Sequence, residues 1–207
     1  MASRGVRALA VLLGCLLLAT GCASGESATG QDHGGMSGTH INNPFDVPDT
    51  ELTDTDGAPY SLAADTDKPL TLLFFGYSHC PDVCQMVMAN ITSALARLDD
   101  ADRAKVDVVF VTTDPRRDDE KTLRSYLARF GDGMIGLTGD IDTIAGIGEA
   151  FGVYMKKEQK LPTGGYEVSH TTHVYAIDAN DEAPVMWGAQ TSPATLAEDI
   201  TTFLDHE

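Results

Sequence analysis

Residues 74–84 read Phe-Phe-Gly-Tyr-Ser-His-Cys-Pro-Asp-Val-Cys, and they join two segments of different periodicity. The apolar run over residues 70–75 is bounded by Pro69 and Gly76, which is the pattern of a buried strand. In residues 86–98, apolar side chains recur at helical spacing. The sequence therefore predicts that a strand turns into a helix at the two cysteines.

Cys80 and Cys84 are predicted to be reactive or metal-binding sulfurs. Pro81 suits the first position of a helix, which puts Cys80 at the helix cap and Cys84 one turn later. Both sulfurs would then lie on one face, beside free backbone N–H groups that favour a thiolate over a thiol. A structural disulfide is the alternative, but a bridge that closes so short a loop would stabilise the fold little.

The N-terminal residues are typical of a bacterial lipoprotein signal. Two arginines precede an apolar run over residues 8–19, and this run of about a dozen residues is shorter than the ~20 that span a bilayer. Residues 19–22, Ala-Thr-Gly-Cys, resemble a lipobox. We therefore expect a signal peptide over residues 1–21, a lipid on Cys22, and an anchored protein on the extracytoplasmic face of the membrane.

Charge and cysteine count narrow the chemistry further. The formal net charge of −17 argues against nucleic acid as a partner, because phosphates would be repelled. Of the four cysteines, Cys15 would leave with the signal peptide and Cys22 would carry lipid. The remaining pair would be oxidised in an exported compartment unless a partner or a metal keeps it reduced.

Two regions follow the signal peptide. Residues 22–43 are rich in Gly, Ser, Thr and Ala and are expected to form a flexible tether. Three tether residues, His33, Met36 and His40, have the spacing of a weak metal-catching cluster, although single polar residues in a linker are ordinarily without a role. The folded domain is expected over residues 44–207.

The order of elements in that domain predicts its fold. Strand, helix, strand and helix are followed by a hairpin and a last helix, which is typical of a thioredoxin-like α/β domain with a central mixed sheet flanked by helices. The hairpin is expected to pair residues 153–156 with residues 173–177 across a long polar excursion.

A third ligand would complete a metal site at the cysteines. Three residues separate Cys80 from Cys84, one more than in thioredoxins, which leaves room for an atom between two soft sulfurs that favour Cu(I), Zn(II) or a similar ion. On an extended strand, residues three apart face opposite sides, so only one of His170 and His173 is expected to reach the sulfurs. We favour His170, which lies nearer a loop, and His173 stays open.

Three segments are similar to the Sco/SenC family. Residues 75–84 resemble its copper-binding signature, and residues 111–118 resemble the segment after its second central strand. Residues 168–178 resemble the segment that carries its copper-ligating histidine. The similarity covers roughly residues 44–205, in the same order and spacing.

This resemblance implies a ligand set. Cys80, Cys84 and His170 would bind Cu(I) or Cu(II), and Asp114 would be a nearby supporting carboxylate, unless it serves only the turn before a proline. Met86 and Met88 occupy a region where the family commonly has a proline and an acidic residue. Either methionine would be a thioether near the site or, as we favour, a core residue.

The resemblance also implies a function. The family delivers copper to the dinuclear copper centre of cytochrome c oxidase or reduces its thiols, so the expected partners are the oxidase subunit that holds this centre and a copper donor protein. As a thiol–disulfide oxidoreductase, the protein would instead cycle Cys80 and Cys84 between dithiol and disulfide. His170 favours the copper metallochaperone, because a redox pair needs no distant histidine.

Overall fold

The computed structural model describes residues 35–66, 68–160 and 165–206. The predicted signal peptide, Cys22 and His33 lie outside these ranges. Within them, no helix is long and apolar enough to cross a membrane. In chain order the elements are β1 (Thr39–Asp46), β2 (Glu51–Asp54), β3 (Pro59–Ser61), β4 (Leu70–Gly76), α1 (Val83–Leu95), α2 (Asp100–Ala104), β5 (Val106–Thr112), α3 (Glu120–Leu127), β6 (Ile135–Thr138), α4 (Ile141–Ala150), β7 (Met155–Lys160), β8 (Tyr166–His170), β9 (Val174–Ile177), β10 (Glu182–Trp187) and α5 (Pro193–His206).

Eight strands form one mixed sheet in the order β1-β10-β9-β4-β5-β6-β2-β3. β4, β5 and β6 are parallel at its centre, and the strands on either side are antiparallel to their neighbours. Both faces of the centre are buried, which is why β4 and β5 are nearly continuous apolar runs. The predicted central mixed sheet is confirmed.

An apolar core covers each face of this sheet. On one face, Phe74 and Phe110 share a core with buried residues of α1, α3 and α5. On the other face, Phe75 and Val111 pack with buried residues of α4. Both cysteines of the 74–84 stretch belong to the first core. The predicted flanking helices are therefore present, three on one face and one on the other.

The hairpin differs from the prediction. Residues 153–156 do not pair with residues 173–177; instead β7 pairs with β8 in a separate two-stranded antiparallel sheet, with Met155 opposite His170. β9 lies in the main sheet, antiparallel to β4. The physical reason is burial, because β9 is apolar and fully buried, whereas β7 reads Met-Lys-Lys-Glu-Gln-Lys and suits an exposed ribbon.

The folded part also begins before residue 44. β1 starts at Thr39 and pairs with β10 at the edge of the main sheet. An edge strand is held largely by backbone hydrogen bonds, so it needs few apolar side chains, and β1 accordingly has no continuous apolar run. The two described members of the tether cluster are parts of this fold, since Met36 packs against the first core and His40 lies opposite Val185.

A buried carboxylate holds the start of this segment. Asp199 of α5 accepts hydrogen bonds from the backbone N–H groups of Ser37 and Gly38, at 2.9 and 2.8 Å, and from Trp187 Nε1 at 2.8 Å. Gly38 packs so closely that a Cβ there would lie 2.6 Å from Trp187 Nε1. These contacts therefore hold the chain in place from Ser37 onward.

Candidate metal centre

β4 ends at Gly76 and leads into a tight turn before α1. A Cβ on Gly76 would lie 2.8 Å from the ring of Phe74, so no side chain fits there. The N–H of Cys80 donates to the carbonyl of Tyr77 at 3.2 Å and closes the turn. α1 begins only at Val83, so the predicted helical register of the two cysteines is wrong: the preceding residue, with φ −144° and ψ −80°, is not helical.

The two sulfurs nevertheless meet at the start of the helix. Cys80 Sγ accepts the backbone N–H of Cys84 at 3.4 Å. Asp82, the residue before the helix, makes no capping hydrogen bond through its side chain, so the sulfur occupies the position that a hydroxyl or carboxylate oxygen commonly takes. Both thiols are free and buried, Cys80 at 5% exposure and Cys84 at 0%.

His170, the last residue of β8, brings an imidazole to these sulfurs. Its Nε2 lies 3.4 Å from Cys84 Sγ, and its Nδ1 lies 2.8 Å from the carbonyl oxygen of Thr171. Because a carbonyl oxygen only accepts, Nδ1 carries the proton in the neutral ring, and the lone pair of Nε2 faces the sulfur. The rings of Phe74 and Tyr77 contact the imidazole edge to face, at centroid distances of 6.2 and 5.8 Å.

The two thiols differ in acidity. A hydrogen bond from the Cys84 thiol lowers the pKa of Cys80. The pKa of Cys84 is raised, first because Cys84 donates that hydrogen bond and second because it is buried. Deprotonation therefore begins at Cys80, which lines an open cleft of about 340 Å³ together with Tyr77 and His170.

Asp114 contacts the β7–β8 hairpin. Its carboxylate forms an ion pair with Arg117 and accepts the Tyr166 hydroxyl at 2.7 Å. Arg117 also donates to the carbonyl of Tyr166 at 3.0 Å, and its guanidinium lies 3.9 Å from the centre of that ring. Tyr166 is the first residue of β8 and His170 the last. Asp114 thus braces the strand that carries the histidine.

Sequence reasoning gave no role to Asp118, which organises the cysteine turn. This fully buried carboxylate accepts the N–H of Ser78 at 2.8 Å, the Ser78 hydroxyl, and the hydroxyl of Thr112 at 2.8 Å. It therefore ties the turn two residues before Cys80 to the end of β5. The available signal was its place at the end of the motif over residues 111–118.

The three weaker candidates do not line the cleft that Cys80 and His170 share. Met88 is fully buried in the core, and Met86 is half-buried on α1. His173 packs against the ring of Tyr175 at 6.2 Å, and that ring belongs to the core on the opposite face of the sheet.

The donors meet as a hydrogen-bonded group. In the described ranges, no three His, Cys, Asp or Glu side chains are already spaced around a position for a metal ion. The donor chemistry of two sulfurs and an imidazole nitrogen fits a soft ion such as Cu(I). Binding such an ion through both sulfurs requires the remaining thiol proton to leave.

A protein-family model described as SCO1/SenC matches residues 37–205. The chain belongs to the SCO1/SenC family. It is 34% identical over 132 residues to the mitochondrial protein SCO2 of Saccharomyces cerevisiae, across 59% of this chain and 44% of that protein. This SCO1/SenC chain thus spans less than half the length of that relative.

Two further comparisons cover a larger share of the similar protein. The SCO2-like protein of Rickettsia felis is 31% identical over 153 residues, which are 72% of this chain and 73% of that protein. The structure of Bradyrhizobium japonicum ScoI with copper bound is 31% identical, with a TM-score of 0.67, and the match covers 79% of this chain and 99% of that chain. The similarity to Sco structures confirms the predicted thioredoxin-like fold.

Proposed function

We propose that this SCO1/SenC protein carries copper on Cys80, Cys84 and His170 and assists the assembly of the dinuclear copper centre of cytochrome c oxidase. The observation that carries the proposal is the meeting of three donors: Cys84 Sγ lies 3.4 Å from His170 Nε2, and Cys80 Sγ accepts the N–H of Cys84 at 3.4 Å. Two thiolates suit Cu(I), and the imidazole nitrogen also suits Cu(II).

The relatives support this proposal. Bradyrhizobium japonicum ScoI, 31% identical to this chain, has a structure with copper bound. The role in oxidase assembly rests on the Sco/SenC resemblance of the three motifs. The partners would be the oxidase subunit that holds the copper centre and a copper donor protein. We further propose a lipid anchor at Cys22 that holds the protein outside the cytoplasmic membrane, on the strength of the signal pattern in residues 1–22.

The geometry suggests how the residues share the work. The Thr171 carbonyl keeps the lone pair of His170 Nε2 turned toward the sulfur and available to the ion. Cys80 loses its proton first and lines the open cleft, so it is the donor that incoming copper meets. Cys84 keeps its proton until copper displaces it. Ligands that are replaced one at a time allow copper to pass to a partner without release into solution.

Copper affinity of the His170→Ala variant tests the ligand set. Using the reduced chain from residue 35 onward, we expect one equivalent of copper in competition with a chelator and at least about tenfold weaker binding for the variant, since a histidine ligand is lost. His173→Ala is the matched control, because it removes an imidazole three residues away that faces the other core. Wild-type affinity in His170→Ala would exclude His170 as a ligand.

Thiol–disulfide exchange is the second candidate, and one observation favours it. The lowered pKa of Cys80 beside a protonated Cys84 is the arrangement of an attacking thiolate and a resolving thiol. Exchange with a model disulfide should survive in His170→Ala while copper binding weakens. If His170→Ala abolishes exchange and leaves copper affinity unchanged, the histidine belongs to the redox reaction instead.

A further inference from the structure

A second cleft borders the hairpin that carries His170. It has a volume of about 280 Å³ and is bounded by the turn after β5, the start of α4 and both hairpin strands. Val168 lines this cleft and also the cleft of Cys80. A molecule bound in the second cleft would therefore touch the element that positions the histidine.

Three exposed cations line this second cleft: Arg116, Lys156 and Lys157. The ion pairs within the described ranges involve other cations, so these three charges are not neutralised by a salt bridge there. Lys157 Nζ lies 3.9 Å from the centre of the Tyr166 ring. Of the carboxylates in the lining, Asp142 is exposed, and Asp114 is buried and paired with an arginine. The cleft is thus locally basic in a chain of formal net charge −17.

Apolar exposure coincides with this charge. Within the described ranges, the large apolar side chains that are exposed are Ile141, at 44%, and Tyr154, at 60%. Ile141 lines the cleft, whereas Tyr154 is not part of its lining. A concave surface with an apolar anchor and a charged rim has the anatomy of a protein–protein interface.

We propose that the second cleft, whose lining includes Arg116, Ile141, Lys156 and Lys157, docks an acidic surface of the oxidase subunit that receives copper from this protein. The inference rests on the proposed function. An acidic partner is repelled by the rest of this chain, so attraction at one basic place also sets its orientation. Because the cleft adjoins the Cys80 cleft through Val168, that orientation brings the partner to the copper ligands.

Copper transfer from the loaded full chain to the reduced, soluble copper-site domain of the oxidase subunit tests the charges. Lys156→Glu/Lys157→Glu should slow transfer about tenfold at low salt, and the difference from wild type should shrink at high salt. Arg97→Glu/Lys121→Glu makes the same change in net charge at exposed cations outside the cleft and should slow transfer less than about twofold. Equal slowing by the two variants, or slowing by neither, overturns the proposal.

A second variant tests the apolar anchor. Ile141→Ser should raise the dissociation rate of the copper-free complex with the same domain, measured by NMR titration, at low and high salt alike. No change in that rate overturns the proposal. This assay uses no copper, so it tests the docking surface even if the wild-type protein fails to bind or transfer the metal. Such a failure would contradict the proposed function. If Lys156→Glu/Lys157→Glu loses binding to anionic phosphatidylglycerol vesicles but keeps wild-type transfer, the surface serves lipid and the proposal falls.

Discussion

The carbonyl oxygen of Thr171 fixes the tautomer of His170, and the thiol of Cys84 sets the acidity of Cys80. These two hydrogen bonds decide where each proton of the site resides. Cys80, the more accessible of the two thiols, is the first to become a thiolate. The lone pair of His170 Nε2 faces the sulfur of Cys84. At the scale of single residues, the site is therefore prepared to accept a soft cation.

Alkylation of the reduced protein should separate the two thiols. Since the pKa of Cys80 is lowered, its thiolate persists below the ordinary thiol pKa of about 8.5. Its reaction rate with iodoacetamide should stay nearly flat from pH 8 to pH 6, whereas an unperturbed thiol loses about tenfold per pH unit. Mass spectrometry should find the label on Cys80 in wild type, and Cys80→Ser should react slowly throughout. Preferential labelling of Cys84 would reverse the assignment.

Asp118→Asn should loosen the cysteine turn. The amide replaces a buried carboxylate that accepts from Ser78 and Thr112, and it places N–H groups against those donors. We expect the free energy of unfolding to fall by about 2–3 kcal/mol, with weaker copper binding in the folded protein. Asp119→Asn is the control, because Asn caps a helix about as well as Asp and residue 119 is exposed. Wild-type stability of Asp118→Asn would contradict the assigned role.

At the scale of elements, the strands that were predicted correctly are those whose own sequence determines them. β4 and β5 were predictable because buried central strands are marked by their own apolar runs. β1 and β8 were missed, and the strand at β7 was given the wrong partner, because backbone pairing holds these strands and their own composition is largely polar.

The same distinction applies to the candidate site. That Cys80, Cys84 and His170 lie close together was predictable from spacing and motif, because cysteine and histidine side chains stand out in the sequence. Thr171 was not predictable, because it acts through a carbonyl that every residue has. Asp118 required knowledge of which turn it would approach.

Asp114→Asn should weaken copper binding through the hairpin. Loss of the ion pair with Arg117 frees the first residue of β8, at the end of the strand away from His170. We expect a decrease of about 1–3 kcal/mol in the free energy of unfolding, less than for a fully buried pair because Arg117 is partly exposed. Cu(I) and Cu(II) affinities should fall together. Tyr166→Phe, which removes a hydrogen bond to the same carboxylate, should show a smaller effect of the same kind. A loss confined to Cu(II) would indicate that Asp114 acts on the charge of the ion.

At the scale of the whole molecule, the segment from Ser37 to β1 belongs to the domain, and Asp199 connects it to α5 and to Trp187 of β10. β1 then adds the last strand at that edge of the sheet. A soluble form that starts at residue 44 would lose these contacts, whereas one that starts at residue 35 keeps them.

Asp199→Ala should destabilise the domain by about 2–3 kcal/mol, because three donors lose their acceptor and Trp187 is buried. Urea unfolding gives this value, and limited proteolysis should show earlier cleavage around β1. Glu198→Ala, at an exposed neighbour, is the control. Copper affinity should stay at the wild-type value in both variants. A loss of affinity in Asp199→Ala would show that the hydrogen bonds to Asp199 support the metal site as well.

The hydrogen bonds to Asp199 also have a mechanical consequence. A pulling force on the chain before residue 35 reaches the domain at Ser37 and Gly38, where it loads the hydrogen bonds to Asp199. Any further load falls on the bonds between β1 and β10, and β9 still separates this edge from β4. The cysteine turn at the end of β4 is therefore not among the contacts that such a pull reaches first. In a domain pulled by its N-terminal end, the load falls first on contacts outside the sulfur and imidazole donors.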